Sequence, residues 1–219
     1  PEEEKGVGSR SPILPVACSE KTILDTCFPN IAPMGPIVDS HFKRFVFRPF
    51  TTTTTYRNLK STGEGVFHVT DDVLLIARAA MGTTTVNSGL AMKPARHVRG
   101  VVLADACRYY EFRVLTLDDR QERTRIEAKV LSTQTHRDFF GFNRARHAVL
   151  EAAILATRLF LTGPQFVLAE LDRLQMIVDK TGSGPEHTAM KELRCYIETE
   201  VETSANMPQQ PSAEATEVD

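Results

Sequence analysis

Residues 47–72 read FRPFTTTTTYRNLKSTGEGVFHVTDD, and the order of residue types in this stretch decides what the chain can become. Phe45-Val46-Phe47-Arg48 has the composition of a strand. Pro49 stops its pairing, because proline has no N–H and a fixed φ. Five hydroxyls follow, Thr51, Thr52, Thr53, Thr54 and Thr55, and then a short helix-compatible piece, Tyr56-Arg57-Asn58-Leu59-Lys60. Gly63 and Gly65 end that piece in the manner of a C-cap. Val66-Phe67-His68-Val69 resumes as an apolar strand. Strand, hydroxyl cluster and helix start are the parts of an anion site. The first turn of a helix carries N–H groups without acceptors and a partial positive charge. Threonine hydroxyls add donors, and Arg48 can add a charge-assisted clamp. The plainer alternative is that one threonine caps the helix and the others decorate an exposed turn.

Outward from this stretch the chain is β-like, then helical. Upstream, residues 22–28 alternate enough for a first strand, Pro29-Asn30 suits a tight turn, and residues 30–38 suit an irregular or edge strand with three prolines counting Pro29. Residues 41–47 alternate aromatic and basic. Downstream, residues 71–82 predict a short helix capped by Asp71 or Asp72 and closed by Gly82. Residues 83–94 form a polar link. Strands are predicted at 98–104, 109–117 and 123–131, with Asp118-Asp119 at a turn, which is meander material and not a parallel α/β sheet. From 143 to 161 the apolar period becomes helical, Gly163-Pro164 breaks it, and further helices are predicted at 165–178 and 186–201.

Bulk properties exclude several classes. The 219 residues are 42% hydrophobic and 25% charged, as expected of a globular chain long enough for a sizeable core. A formal net charge of −2 gives no support to a general nucleic-acid binder. No apolar run approaches the ~20 residues of a membrane span, and the acidic, polar opening lacks the pattern of a signal peptide. The expected location is cytoplasmic. Four widely spaced cysteines form no CxxC pair, and the histidines show no metal-ligand spacing, so no metal site is expected. Motifs of zinc hydrolases, serine esterases, P-loops and dinucleotide folds are absent. His68 reads as an interior or surface histidine and His147 as a core or interface one. Arg144 and Arg146 sit early in a helix, where the dipole disfavours positive charge, which points to an anion or a carboxylate such as Glu151 beside them; the alternative is a solvated arginine.

Three stretches carry a resemblance. Residues 55–69, Thr-Tyr-Arg-Asn-Leu-Lys-Ser-Thr-Gly-Glu-Gly-Val-Phe-His-Val, resemble the flavin-reductase segment of Thr, two residues, Asn-Leu or Asn-Ile, a polar gap, Gly and a strand. Pro29-Asn30-Ile31-Ala32-Pro33-Met34-Gly35-Pro36 looks like the Asn-x-Ala-Pro strand of FMN-binding split barrels. Residues 139–153, FFGFNRARHAVLEAA, complete a closer match. Together, over residues 23–196, they resemble a domain-of-unknown-function family of the FMN-binding split-barrel, flavin-reductase-like superfamily. Against that pattern the first hairpin is shorter than expected.

The resemblance implies a mainly β fold with α, a split β-barrel plus a C-terminal helical extension. On this reading residues 1–15 are a flexible tail, 16–140 the FMN-binding barrel, 141–201 the helical extension on the barrel or on a dimer partner, and 202–219 a disordered acidic tail. The implied cofactor is FMN. Arg48 and Thr51, Thr52, Thr53, Thr54 and Thr55 would hold its phosphate. Asn30, Ala32 and Pro33 would line the isoalloxazine edge, and Asn58 would brace the turn. A homodimer is implied, with Asn143 and Arg144 donated by either chain. The implied activity is that of a flavin-dependent oxidoreductase of unread substrate, with a small-molecule or nicotinamide electron donor. A flavin carries its own redox chemistry, so no catalytic acid or base is named. The alternative is a non-catalytic dimer that binds flavin or another cofactor.

Overall fold

The computed structural model describes residues 13–18, 29–84 and 89–205. The strand expected at 22–28 lies outside the described residues, as does most of each tail. The strands are β1 (Ile13–Cys18), β2 (Pro29–Ile31), β3 (Ile37–Val38), β4 (Arg44–Phe47), β5 (Glu64–Val69), β6 (Met92–Pro94), β7 (Val101–Leu103), β8 (Arg108–Asp118) and β9 (Arg125–Thr135). Seven of them form one sheet in the order β2-β1-β5-β8-β9-β4-β3, with every pairing antiparallel. The strand facing Asn30 and Ile31 is β1, through Ala17 and Val16. It begins inside the stretch expected to be tail.

The sheet cannot be flat. Its two edges, β2 and β3, are separated in sequence only by residues 32–36. Six strand spacings of about 4.8 Å would hold flat edges roughly 29 Å apart. The six Cα steps from Ile31 to Ile37 span at most about 22 Å. The sheet therefore curls until its edges approach. Inside the curl lies an aromatic core of Phe45, Phe47, Phe67, Phe112 and Tyr110, with Ile126, Ala128, Leu59 and Tyr56. Phe45 lies 4.8 Å from Phe67 and Phe47 lies 4.9 Å from Phe112, centroid to centroid, in tilted packing.

The outer face of β5 and β8 is covered by the β6–β7 hairpin, so β5 is buried on both sides. Phe67 points inward, while Val66 packs outward with Val98, Val102 and Tyr109. Carboxylates hold this cover. Glu111 Oε2 accepts the backbone N–H groups of His97 and Val98, and Glu64 Oε1 accepts the backbone N–H of Arg99 at 2.9 Å. Fully buried His68 accepts the Leu103 N–H at 3.1 Å. The polar link expected at 83–94 thus contains β6, which its partner β7 specifies more than its own sequence does.

The helices are α1 (Thr54–Thr62), α2 (Val73–Ala80), α3 (Arg144–Ala156), α4 (Leu159–Thr162), α5 (Pro164–Thr181) and α6 (Gly184–Ala205). Helices α2, α3, α5 and α6 share a second core. Buried Ala145, Ala148, Ala152, Ala153 and Ala156 let α3 approach its neighbours closely, while Val167, Leu171, Leu174 and Val178 supply one face of α5. The run expected as one helix over 143–161 is interrupted. Thr157 ends α3, its hydroxyl bonding back to the Ile154 carbonyl at 2.8 Å, and Arg158 leaves helical geometry at φ −122°, ψ 16°. α6 runs on to Ala205, four residues into the stretch expected to be disordered. No helix among the described residues is long and apolar enough to cross a membrane.

Candidate functional site

The start of α1 is built as a cradle. Thr53 is its N-cap: extended backbone (φ −80°, ψ 149°) lets the Thr53 hydroxyl oxygen accept the Tyr56 N–H at 3.2 Å. The same hydroxyl donates to the Phe50 carbonyl at 2.8 Å, closing the turn from β4. The first two helical N–H groups, of Thr54 and Thr55, have no acceptor within the helix. Gly63 ends α1 at φ 67°, a left-handed conformation that suits glycine.

Around this helix start the candidate residues divide by burial. Thr55 and Asn58 are buried, and Thr55 Oγ1 accepts from Asn30 Nδ2 at 2.9 Å. That bond ties α1 to the end of β2, where the chain enters the 32–36 connection between the sheet edges. Ala32 and Pro33 lie half-buried in that connection. Thr52 and Thr54 are exposed, Thr51 and Thr53 half-buried, and Thr54 Oγ1 accepts from Arg57 Nη2 at 3.1 Å. The Thr51 N–H donates to the Glu122 carbonyl at 2.8 Å, and Thr124 Oγ1 donates to the Pro49 carbonyl at 2.8 Å. These bonds pin the 49–53 turn against the β8–β9 turn. Arg48 is exposed and makes no hydrogen bond or ion pair with any described residue. An exposed guanidinium, the exposed hydroxyls of Thr52 and Thr54 and unpaired helix N–H groups thus fall within the short run from Arg48 to Thr55 that leads into α1.

Asn143 and Arg144 lie elsewhere in the chain. β5 runs from the end of α1 toward Thr70 and Asp71, which line a small pocket with Gly141, Arg146 and His147, the sequence neighbours of Asn143. Asn143 caps α3, its Oδ1 accepting the Arg146 N–H at 3.0 Å and its carbonyl receiving His147 Nδ1 at 2.6 Å. Arg144 is exposed, without a hydrogen bond or ion pair to any described residue. The structure thus bonds Asn30 to Thr55 beside buried Asn58, while the bonds of Asn143 stay within α3 and Arg144 has none to a described residue.

The partner expected for the early arginines of α3 is not Glu151. Arg146 Nε donates to Glu186 Oε1 at 3.1 Å, and its Nη1 stands 3.1 Å from Asp71 Oδ2 as an ion pair that lacks hydrogen-bond alignment. Arg137 Nη2 holds Asp71 Oδ1 at 2.6 Å, and the Phe140 N–H donates to Asp71 Oδ2 at 3.1 Å. Arg137 holds the Asp71 carboxyl far below the usual range, against the opposing effect of burial. Arg146 also lies over the Phe140 ring at 4.5 Å. Asp72, by contrast, is the plain cap of α2, accepting the Leu75 N–H at 3.0 Å.

Comparison with known proteins follows the same outline. Residues 21–137 match the family model described as protein of unknown function (DUF447), N-terminal domain, and residues 143–194 match that of protein of unknown function (DUF447). No curated protein matches the chain. Among solved structures, an FMN-bound protein of that family from Methanosarcina mazei has the same fold, with a TM-score of 0.72 at 23% identity. The alignment covers 86% of this chain and 95% of that one. More distant are a flavin reductase domain protein from an Arthrobacter species and an FMN-binding protein from Thermus thermophilus with bound 1-cyclohex-2-enone. The first aligns at TM-score 0.48 and 12% identity over 59% of this chain and 79% of its own. The second aligns at 0.47 and 11% over 62% and 76%. The two family matches meet where the curled sheet gives way to α3, and together they take in both cores: the chain belongs to the DUF447 family.

Proposed function

We propose that this chain is an FMN-binding split barrel that works as a homodimer, with the flavin phosphate on the α1 cradle. The observation that carries the reading is exposed Arg48, without a partner among the described residues, a few residues before a capped helix start at which Thr52 and Thr54 are exposed. A phosphate fits those donors: helix N–H groups and threonine hydroxyls supply hydrogen bonds, and Arg48 supplies charge. Thr55 and Asn30 would act behind that surface by fixing the helix to the 32–36 connection. That connection, with Ala32 and Pro33, would offer backbone groups to the flavin ring. The curl of the sheet and the fold shared with an FMN-bound protein of the family support the same reading.

When bound, FMN would supply hydride or electron transfer, and the protein would supply binding, orientation and electrostatics. The reading extends to a flavin-dependent oxidoreductase supplied by a small-molecule or nicotinamide donor. Because neither Asn143 nor Arg144 is bonded to the α1 cradle within one chain, a second copy is the means by which they would reach a flavin. Purified protein should elute from gel filtration with flavin absorbance after saturation with FMN, and should oxidise NADH or NADPH when flavin is present. A protein that retains no FMN removes the flavin reading. Retained FMN without nicotinamide oxidation leaves a flavin carrier or an enzyme with another donor.

A further inference from the structure

We propose a second ligand site in the mouth of the curled sheet, at the Arg108 end of β8 and separate from the start of α1, that takes an aromatic group bearing a phosphate. The inward-facing stripe of β8 runs Phe112, Tyr110, Arg108, and that of β9 runs Ala128, Val130, Thr133. Each begins in the aromatic core and ends polar, so the core opens into a cleft with an apolar floor and a cationic, hydroxyl-bearing rim. The cleft holds about 360 Å³, within the usual range for small ligands. Lys43 and Arg108 line it together with His41, and among the described residues no Asp or Glu does.

The lip of the cleft is held in an unusual shape. Phe42 sits at φ 53°, a left-handed conformation rare for a bulky side chain. Asp39 fixes it there: its carboxylate accepts the N–H groups of Lys43 and Arg44 at 2.7 and 2.9 Å, and its carbonyl accepts the Phe42 N–H at 3.1 Å. The ring of Phe42 lies nearly parallel to that of Tyr110, at 6.1 Å and 17°, yet is 41% exposed. It offers a stacking face at the entrance. Arg108 is oriented by Nε on Thr135 Oγ1 at 3.1 Å, with Nη1 3.5 Å from the Tyr110 hydroxyl. A ring on Phe42 with its phosphate between Lys43 and Arg108 uses every one of these features. A neutral aromatic would leave both cations unused.

The probe is AMP, with adenosine and inorganic phosphate as controls, titrated calorimetrically into the full chain with and without saturating FMN. AMP is expected to bind equally well in both conditions, and adenosine at least tenfold more weakly. Arg108→Ala should weaken AMP about 10- to 100-fold, the range expected for one charge-assisted bond. Phe42→Gly suits the positive φ and should stay folded, losing about tenfold for AMP while phosphate binding is unchanged. Millimolar AMP without heat, or unaltered AMP affinity in folded Arg108→Ala, overturns the proposal. So does competition between AMP and FMN, or loss of FMN retention in Arg108→Ala, since either would make this the flavin's own site. If the wild type retains no FMN at all, the α1 reading fails while the AMP titrations still decide this one.

Discussion

Arg48 and Thr55 show two ways in which a single side chain serves the cradle. Arg48 is exposed and unengaged within the chain, so its removal touches binding and not folding. Arg48→Ala should weaken FMN by about 1.5–3 kcal/mol in a fluorescence titration, with an unchanged urea midpoint. Thr55 is the reverse case, 2% exposed and bonded to Asn30. Thr55→Val should cost about 1–2 kcal/mol of stability by urea denaturation, because the part-buried Asn30 amide loses its acceptor. The sequence made a capped helix start legible here, since Ser, Thr and Asp are the residues that cap. It could not say which of five consecutive threonines would do it, because that depends on where the turn from Pro49 delivers the chain. Burial of Thr55 and exposure of Thr54 follow from one further residue of helical rotation, which the composition of a Thr run does not encode.

At the scale of elements, the junction between sheet and helices is the electrostatic feature that sequence reasoning missed. Asp71 and Glu186 reach Arg146 from opposite sides, and Arg137 completes the set. These residues are scattered from β5 to α6, so no local pattern announces them; only the dipole conflict at the start of α3 hinted that its arginines needed an anion. The Asp71 carboxyl is held down by Arg137. Burial alone would raise Glu186, but Ser183 and Arg146 hold it below its ordinary value. Burial would likewise raise Glu64, but the backbone N–H and guanidinium of Arg99 outweigh it and hold Glu64 below its ordinary value. A depressed carboxyl contributes stability that is complete above its unfolded value, near 4, and is lost as pH falls through the folded value. The melting temperature should therefore hold from pH 7 to about 5 and fall steeply below. Asp71→Asn should cost about 2–3 kcal/mol at pH 7 and flatten the acid limb; an unchanged limb would remove Asp71 from the latch. Other elements were readable from local signals: Gly63 closing α1, Asp72 opening α2, and the charged-apolar alternation of β9. The break at Thr157 was not, because the apolar period runs straight through it.

At the scale of the molecule, the curl arises from pairing, not from any one strand: it follows from joining the two sheet edges by residues 32–36. The meander composition of 98–131 announced antiparallel strands, but not that β1 would pair between β2 and β5, since its partners lie at 29–31 and 66–69. The exposed apolar side chains have the same scale. Phe142 is 97% and Phe160 80% exposed, an arrangement that suits burial against another protein surface. Sedimentation should show a dimer at micromolar concentration, and dilution to monomer should release flavin; a verified monomer that keeps FMN contradicts a site shared between chains. The most direct test of the central claim compares FMN with riboflavin, which has the same ring and no phosphate, in fluorescence titrations of the purified chain. The α1 cradle predicts FMN at least tenfold tighter than riboflavin, with the difference largely abolished in Arg48→Ala. Equal affinities, or a phosphate preference that Arg48→Ala leaves intact, would contradict it.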